Sequence, residues 1–122
     1  MGERFDDRPQ RAHLDLLKGT LDILILKTLS CRAMHGYAIA RSIRETSSEV
    51  LRVEEGALYP ALRRLEKRDL LRSRWDTTET GRQAKFYDLT EVGRHHLRRA
   101  LGDWDRYVAA MGSVLHDTGA AQ

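Results

Sequence analysis

A seam of apolar and aromatic side chains, Leu97, Leu101, Trp104, Val108, Met111 and Leu115, runs toward the end of the 122-residue chain at spacings of 4, 3, 4, 3 and 4. A repeat of this kind keeps one stripe on one side of a helix, and the stripe is buried by winding against another helix. A matching surplus lies near the start. Leu14, Leu17, Leu21 and Leu24 follow a 3, 4, 3 spacing, while Ile23, Ile25, Leu26 and Leu29 cover other sides of the same helix, expected over residues 13–30. A helix that is apolar on more than one face needs one partner inside its domain and another elsewhere. A chain of this length closes one small domain, so the leftover faces predict a homodimer with these two leucine-rich sets at its interface.

Between the two sets the pattern changes element by element. A second helix is expected from Gly36 to about Ser47, burying Ile39, Ala40 and Ile43, and a third from Glu55 to Lys67, with Leu58, Ala61, Leu62 and Leu65 at i, i+3, i+4 and i+7. After Arg68 the period becomes two. Leu71, Ser73 and Trp75 alternate with Arg72 and Arg74, and the run Ala84 to Leu89 follows a polar stretch containing Gly81, which reads as a β-hairpin. Phe86 is expected in the core and Tyr87 is open to either face. Thr90 can cap a fourth helix running to about His116, with Glu91 suiting its positive end. The fold expected is mainly α with a small β-hairpin, a winged helix-turn-helix plus a long C-terminal dimerisation helix. Its parts are a flexible N-terminal arm (1–12), the winged unit (13–89), the dimerisation helix (90–116) and a tail (117–122).

Charge is unevenly spread. Residues 1–62 hold nine basic and nine acidic side chains, residues 63–99 eleven and six, and residues 100–122 one and three. The surplus therefore lies in one segment, as a polyanion-binding face requires. At 100° per residue the side of the third helix opposite its apolar stripe carries Gly56, Pro60, Arg63 and Lys67, with Tyr59 and Arg64 on the flanks. Small residues at the leading end allow close backbone approach to a groove, and the cations that follow suit base edges or phosphates. Pro60 cannot donate to the carbonyl of Gly56, so a kink or a late helix start is expected. In the hairpin, Arg82, Gln83 and Lys85 flank the tip. A protein-interaction module of the same fold would be expected to show apolar anchors on the third helix instead.

No nucleophile with its base and orienter is discernible, and an enzyme is not expected. The adjacent His95 and His96 point about 100° apart, which is poor geometry for one metal. No metal or cofactor is expected. Cys31, the single cysteine, excludes an internal disulfide and reads as a small buried residue. No apolar run reaches the roughly 20 residues of a membrane span, and the charged opening residues do not form a secretory signal, so the cytoplasm is the expected location.

The stretches Leu17-Lys18-Gly19-Thr20-Leu21-Asp22, His35-Gly36-Tyr37, Gly56-Ala57-Leu58-Tyr59-Pro60-Ala61-Leu62, Arg64-Leu65-Glu66 and Ala84-Lys85-Phe86-Tyr87-Asp88-Leu89-Thr90 together resemble PadR-type transcriptional regulators of the short kind with one C-terminal dimerisation helix. The resemblance implies a homodimeric DNA-binding repressor that takes double-stranded DNA with an inverted-repeat operator and is released by an effector. It adds Tyr37 and Ala57 to the DNA-binding set. Ala57 stands where many relatives carry serine or threonine, and Gln83 and Asp88 where basic residues are frequent, which implies a weaker phosphate grip or an altered sequence choice. Some relatives hold flat aromatic drugs in the dimer cleft against an aromatic of the last helix. Trp104 has a similar place, so the resemblance offers it as a contact for a small hydrophobic effector, beside its reading as plain seam core.

Overall fold

The computed structural model describes residues 19–119, and the expected arm, Leu14, Leu17 and the last residues of the tail lie outside them. Helix α1 is described over 19–28. It is followed by β1 (Met34–His35), α2 (Gly36–Thr46), α3 (Glu55–Lys67), β2 (Leu71–Thr77), β3 (Gln83–Leu89) and α4 (Glu91–Leu115). The fold is mainly helical with one small antiparallel sheet, as the sequence predicts.

One core joins all of these elements. Ile25 and Leu26 of α1, Leu29 just after it, Ile39 and Ile43 of α2, the four apolar residues of α3, and Leu71, Tyr87, Leu89 and Leu97 form a single buried cluster. The i, i+3, i+4, i+7 stripe of α3 is at most 1% exposed, so burial of this face against α1, α2 and the sheet fixes the rotation of the helix about its own axis. Its opposite face is left to solvent. Pro60 lies inside α3, yet the helix starts at Glu55 rather than after the proline. The Glu54 carbonyl accepts both Ala57 N–H at 3.0 Å and Leu58 N–H at 2.9 Å. The first turn is therefore closed before the missing Pro60 donor is felt, and the freed Gly56 carbonyl lies on an exposed turn.

The hairpin pairs Leu71 with Leu89 through to Thr77 with Gln83, which leaves a tip of 78–82. The tip closes through Thr78 N–H to the Arg82 carbonyl at 2.7 Å and Gly81 N–H to the Thr78 carbonyl at 2.9 Å. Gly81 has φ +87°, a region that favours glycine. The sheet has a third strand that periodicity does not reveal: β1 pairs Met34 with Tyr87 and His35 with Phe86 on the outer side of β3. Strand parity corrects the expectation for Phe86. Tyr87 and Leu89 are 5% and 2% exposed and share the core face with Leu71, while Phe86 points to the other face, half-buried. There its ring meets His35 edge-on at 5.2 Å and lies beneath the Arg74 guanidinium. Cys31 is also corrected, being exposed rather than buried.

The wing and α4 are locked together at their junction. Thr90 accepts from Gly93 N–H at 2.9 Å and donates to the Asp69 carbonyl at 2.6 Å, while Thr90 N–H donates to the Leu70 carbonyl at 3.1 Å. The cap thus serves two elements: it satisfies an orphan amide of α4 and ties that helix to the turn after α3.

Candidate nucleic-acid interface

Gly56, Ala57, Tyr59, Pro60, Arg63 and Lys67 of α3 are all exposed on its outward side. Their arrangement follows from the buried stripe, since fixing one face of a helix fixes the other. Arg63 and Lys67 are one turn apart, and among the described residues no carboxylate pairs with either of them or with Arg82. Tyr59 reaches from α3 to the start of α2. A Cβ added at buried Gly36 would lie 2.7 Å from the Tyr59 hydroxyl oxygen and 2.8 Å from its ring, so the ring rests in this position directly on the start of α2. Tyr37, 62% exposed, continues the outward surface on α2, stacked near His35 and covered by the Arg41 guanidinium at 5.5 Å. Arg41 is absent from the residues expected from sequence. Its signal was the i+4 spacing from Tyr37 on the polar side of α2.

Two of the expected cations are engaged within the protein. Arg64 donates to Asp22 of α1 at 2.7 Å, with side-chain exposures of 37% and 17%. It ties the back of α3 to α1. Lys85 lies 3.8 Å from Glu66 and 5.9 Å from the centre of the Tyr87 ring. The same Glu66 accepts from the Ser73 hydroxyl at 2.6 Å, so one carboxylate of α3 holds both strands of the wing. Burial first, and then the charge of Glu66, pushes the Tyr87 hydroxyl above its ordinary pKa, with Arg63 opposing. Gln83 donates to the Thr77 hydroxyl at 3.1 Å across the base of the tip. Arg82 and Gln83 remain exposed.

The seam divides. Leu97 is 6% exposed and belongs to the core of its own chain, so it is corrected from an interface residue to a core residue; Leu21, Leu24 and Leu101 are partly buried against the same core. Beyond them Trp104, Val108, Met111 and Leu115 are 37%, 46%, 40% and 67% exposed, joined by Tyr107 and Val114. The reason is that α4 meets the core only through its first turns, at Leu97 and Leu101. A groove of about 380 Å³ between α1 and α4 is lined by Asp22, Ile23, Leu26, Arg68, His96 and Ala100, with Trp104 and Tyr107 at 6.0 Å from each other. Partial burial first, then Arg68 and Arg99, pulls the His96 imidazole below its ordinary range. Among the described residues no three histidine, cysteine or acidic side chains group as a metal site, and no helix is long and apolar enough to cross a membrane.

A cationic, proline-bearing helix presented beside a hairpin on a three-helix core is the arrangement of a winged DNA reader, and the model of the PadR-like transcriptional regulator family matches residues 25–99. The chain belongs to that family. It is similar to a PadR family transcriptional regulator of Eggerthella lenta, at 31% identity over 95% of this chain and 99% of the other with a TM-score of 0.72. A transcriptional regulator of Clostridium thermocellum matches at 27% identity over 81% and 93% with a TM-score of 0.73. A protein of Lysinibacillus sphaericus known only as uncharacterized protein X is 27% identical over 74% of this chain and 83% of its own length. PadR-like proteins are transcriptional regulators, and this one is a DNA-binding regulator with a winged-helix fold.

Proposed function

We propose that the chain is a cytoplasmic repressor that acts as a homodimer on an inverted-repeat operator, by binding and not by catalysis. In this reading the winged unit (13–89) reads DNA, the helix at 90–116 joins two copies, and a small hydrophobic effector entering between α1 and α4 releases the complex. The observation that carries the reading is the outward face of α3, with Gly56 and Pro60 leading, followed by Arg63 and Lys67, which pair with no carboxylate among the described residues. Glycine, alanine and proline keep the leading turn thin enough to enter a groove, and the cations then meet base edges or phosphates. Tyr37, Tyr59, Arg82, Gln83 and Lys85 border the same surface. Arg64 is assigned to structure instead, because Asp22 already holds it. Dimerisation is supported by α4, where residues 103–111 are exposed throughout despite Trp104, Tyr107, Val108 and Met111. A two-fold dimer presents two α3 helices, and its operator must share that symmetry.

Salt tests the charged face. Arg63, Lys67 and Arg82 give roughly 6 phosphate contacts per dimer, since Lys85 is shared with Glu66, and the log-log slope of affinity against salt should be about −5. Between 50 and 200 mM salt the predicted loss is about three decades. An Arg63→Ala, Lys67→Ala double variant that binds a selected genomic fragment as tightly as the parent, at every salt concentration, overturns the assignment of this face.

A further inference from the structure

Along β2 the residues Leu71, Ser73 and Trp75 share one face. Leu71 is buried at 2% exposure and Ser73 is bonded to Glu66 of α3, so this is the side of the hairpin turned toward α3. Trp75 is the next residue on it and is 68% exposed. Its register partner is Lys85, whose ammonium is also directed to Glu66. The contrast with the other face is informative. There Arg72 pairs with Asp88 at 3.6 Å, Arg74 with Asp76 at 3.7 Å, and Phe86 is covered by His35 and Arg74. Trp75 has no ring or cation over it among the described residues. The largest apolar ring of the wing is thus left open on the side facing the reading helix.

What covers the ring follows from its neighbours. Arg82 lies at the tip and Arg63 on the facing helix, neither paired with a carboxylate among the described residues, so the occupant is anionic with an apolar part. A duplex seated on α3 must carry one strand over the space between α3 and the wing. The deoxyribose is the apolar part of that strand and its phosphates are the charge. The apolar surplus that a second copy would cover lies instead on the far half of α4.

We propose that Trp75 is a DNA contact: its indole packs on the deoxyribose edge of the strand crossing from the groove read by α3 to the groove reached by the wing. With Arg82 at the tip it forms a clamp that is indifferent to base sequence. The inference rests on α3 being the groove reader, and the experiment separates the two. Trp75→Ala and Trp75→Phe are compared with the parent on a duplex recovered by genomic selection and on an unrelated duplex of equal length. Trp75→Ala should bind both duplexes about tenfold more weakly, by analogy with aromatic stacking on single bases, and Trp75→Phe should recover most of the loss. The salt slope should be unchanged, because no charge is removed, whereas Arg82→Ala should flatten it by about 2 for the dimer. Trp75 and Trp104 are the two tryptophans, so an emission change on adding duplex should occur in the parent and vanish in Trp75→Phe. Unaltered affinity of Trp75→Ala, or the same emission change in Trp75→Phe, overturns the contact. A smaller sedimenting mass for Trp75→Ala overturns it in favour of a second copy. Normal binding by the Arg63, Lys67 double variant would instead overturn the reading face.

Discussion

Gly93→Ala and Gly102→Ala place the same methyl group on the same helix and should shift stability in opposite directions. At Gly93 the new Cβ would overlap the backbone carbonyl oxygen of Leu70 and lie 3.0 Å from Leu89 Cδ2. A carbonyl cannot rotate aside, and this one already accepts from Thr90 N–H at 3.1 Å. Relief therefore needs α4 to lift from the turn at 69–70, which stretches that bond and the 2.6 Å bond from Thr90 to Asp69. Overpacking costs about 1–3 kcal/mol and a weakened hydrogen bond about 1 kcal/mol, against about 1 kcal/mol gained from alanine's helix propensity. The net loss is about 1–3 kcal/mol, or a Tm lower by roughly 10 °C at the middle of that range for a domain of this size. Around Gly102 nothing lies within 4 Å, so only the propensity gain remains, up to about 1 kcal/mol of added stability. Thermal and urea unfolding by circular dichroism at one fixed protein concentration measures both, the fixed concentration removing any contribution from association. Equal stability of the two variants would refute the claim that the Leu70 carbonyl sets the seat of α4.

Gly56→Ala adds a methyl group where nothing lies within 4 Å; its stability should hold or rise, while operator affinity falls, and unchanged affinity in a gel-shift titration would remove this turn from the groove. Asp22→Asn should cost about 1–2 kcal/mol, a charge-assisted bond in a partly solvated setting; in a double-mutant cycle Arg64→Ala should add little further, and full additivity in urea unfolding would show that the pair does not couple α1 to α3. His96 is held below the ordinary imidazole value of 6.5 in the folded state, so the unfolded chain binds its proton more readily. The stability it contributes is present above that value and is lost as pH falls below it. His96→Gln should flatten the decline of urea midpoint on the acid side, and an identical pH profile would refute the linkage.

The helices were legible because burial of one stripe is a periodic signal. α3 coincides with the expected Glu55–Lys67, and Thr90 caps α4 as its side chain and position indicate. Three features were not legible for physical reasons. β1 is two residues long, too short to show a period, and exists because Met34 and His35 meet a strand distant in sequence. Phe86 and Tyr87 are adjacent and both aromatic, so only the register with β2 decides which faces the core. The fate of Arg64 and Leu97 depended on what stands opposite them: Asp22, 42 positions away, takes the first, and the shared core takes the second. Spacing assigns a residue to a side of a helix, but the neighbouring element decides whether that side is free.

The two sides of α3 have a consequence for how such a regulator changes its target. The core side is at most 1% exposed and carries four residues that the whole fold leans on, whereas Gly56, Ala57, Arg63 and Lys67 are exposed. Substitutions on the outward side therefore leave folding free energy nearly untouched. On the proposed reading, a copy of the gene could drift to a new operator through a handful of surface codons, every intermediate remaining folded and able to pair. The wing is less free to diverge, because Glu66 binds Ser73 and Lys85 at once. Specificity in this protein should accordingly diversify through α3, with the hairpin conserved as a common grip.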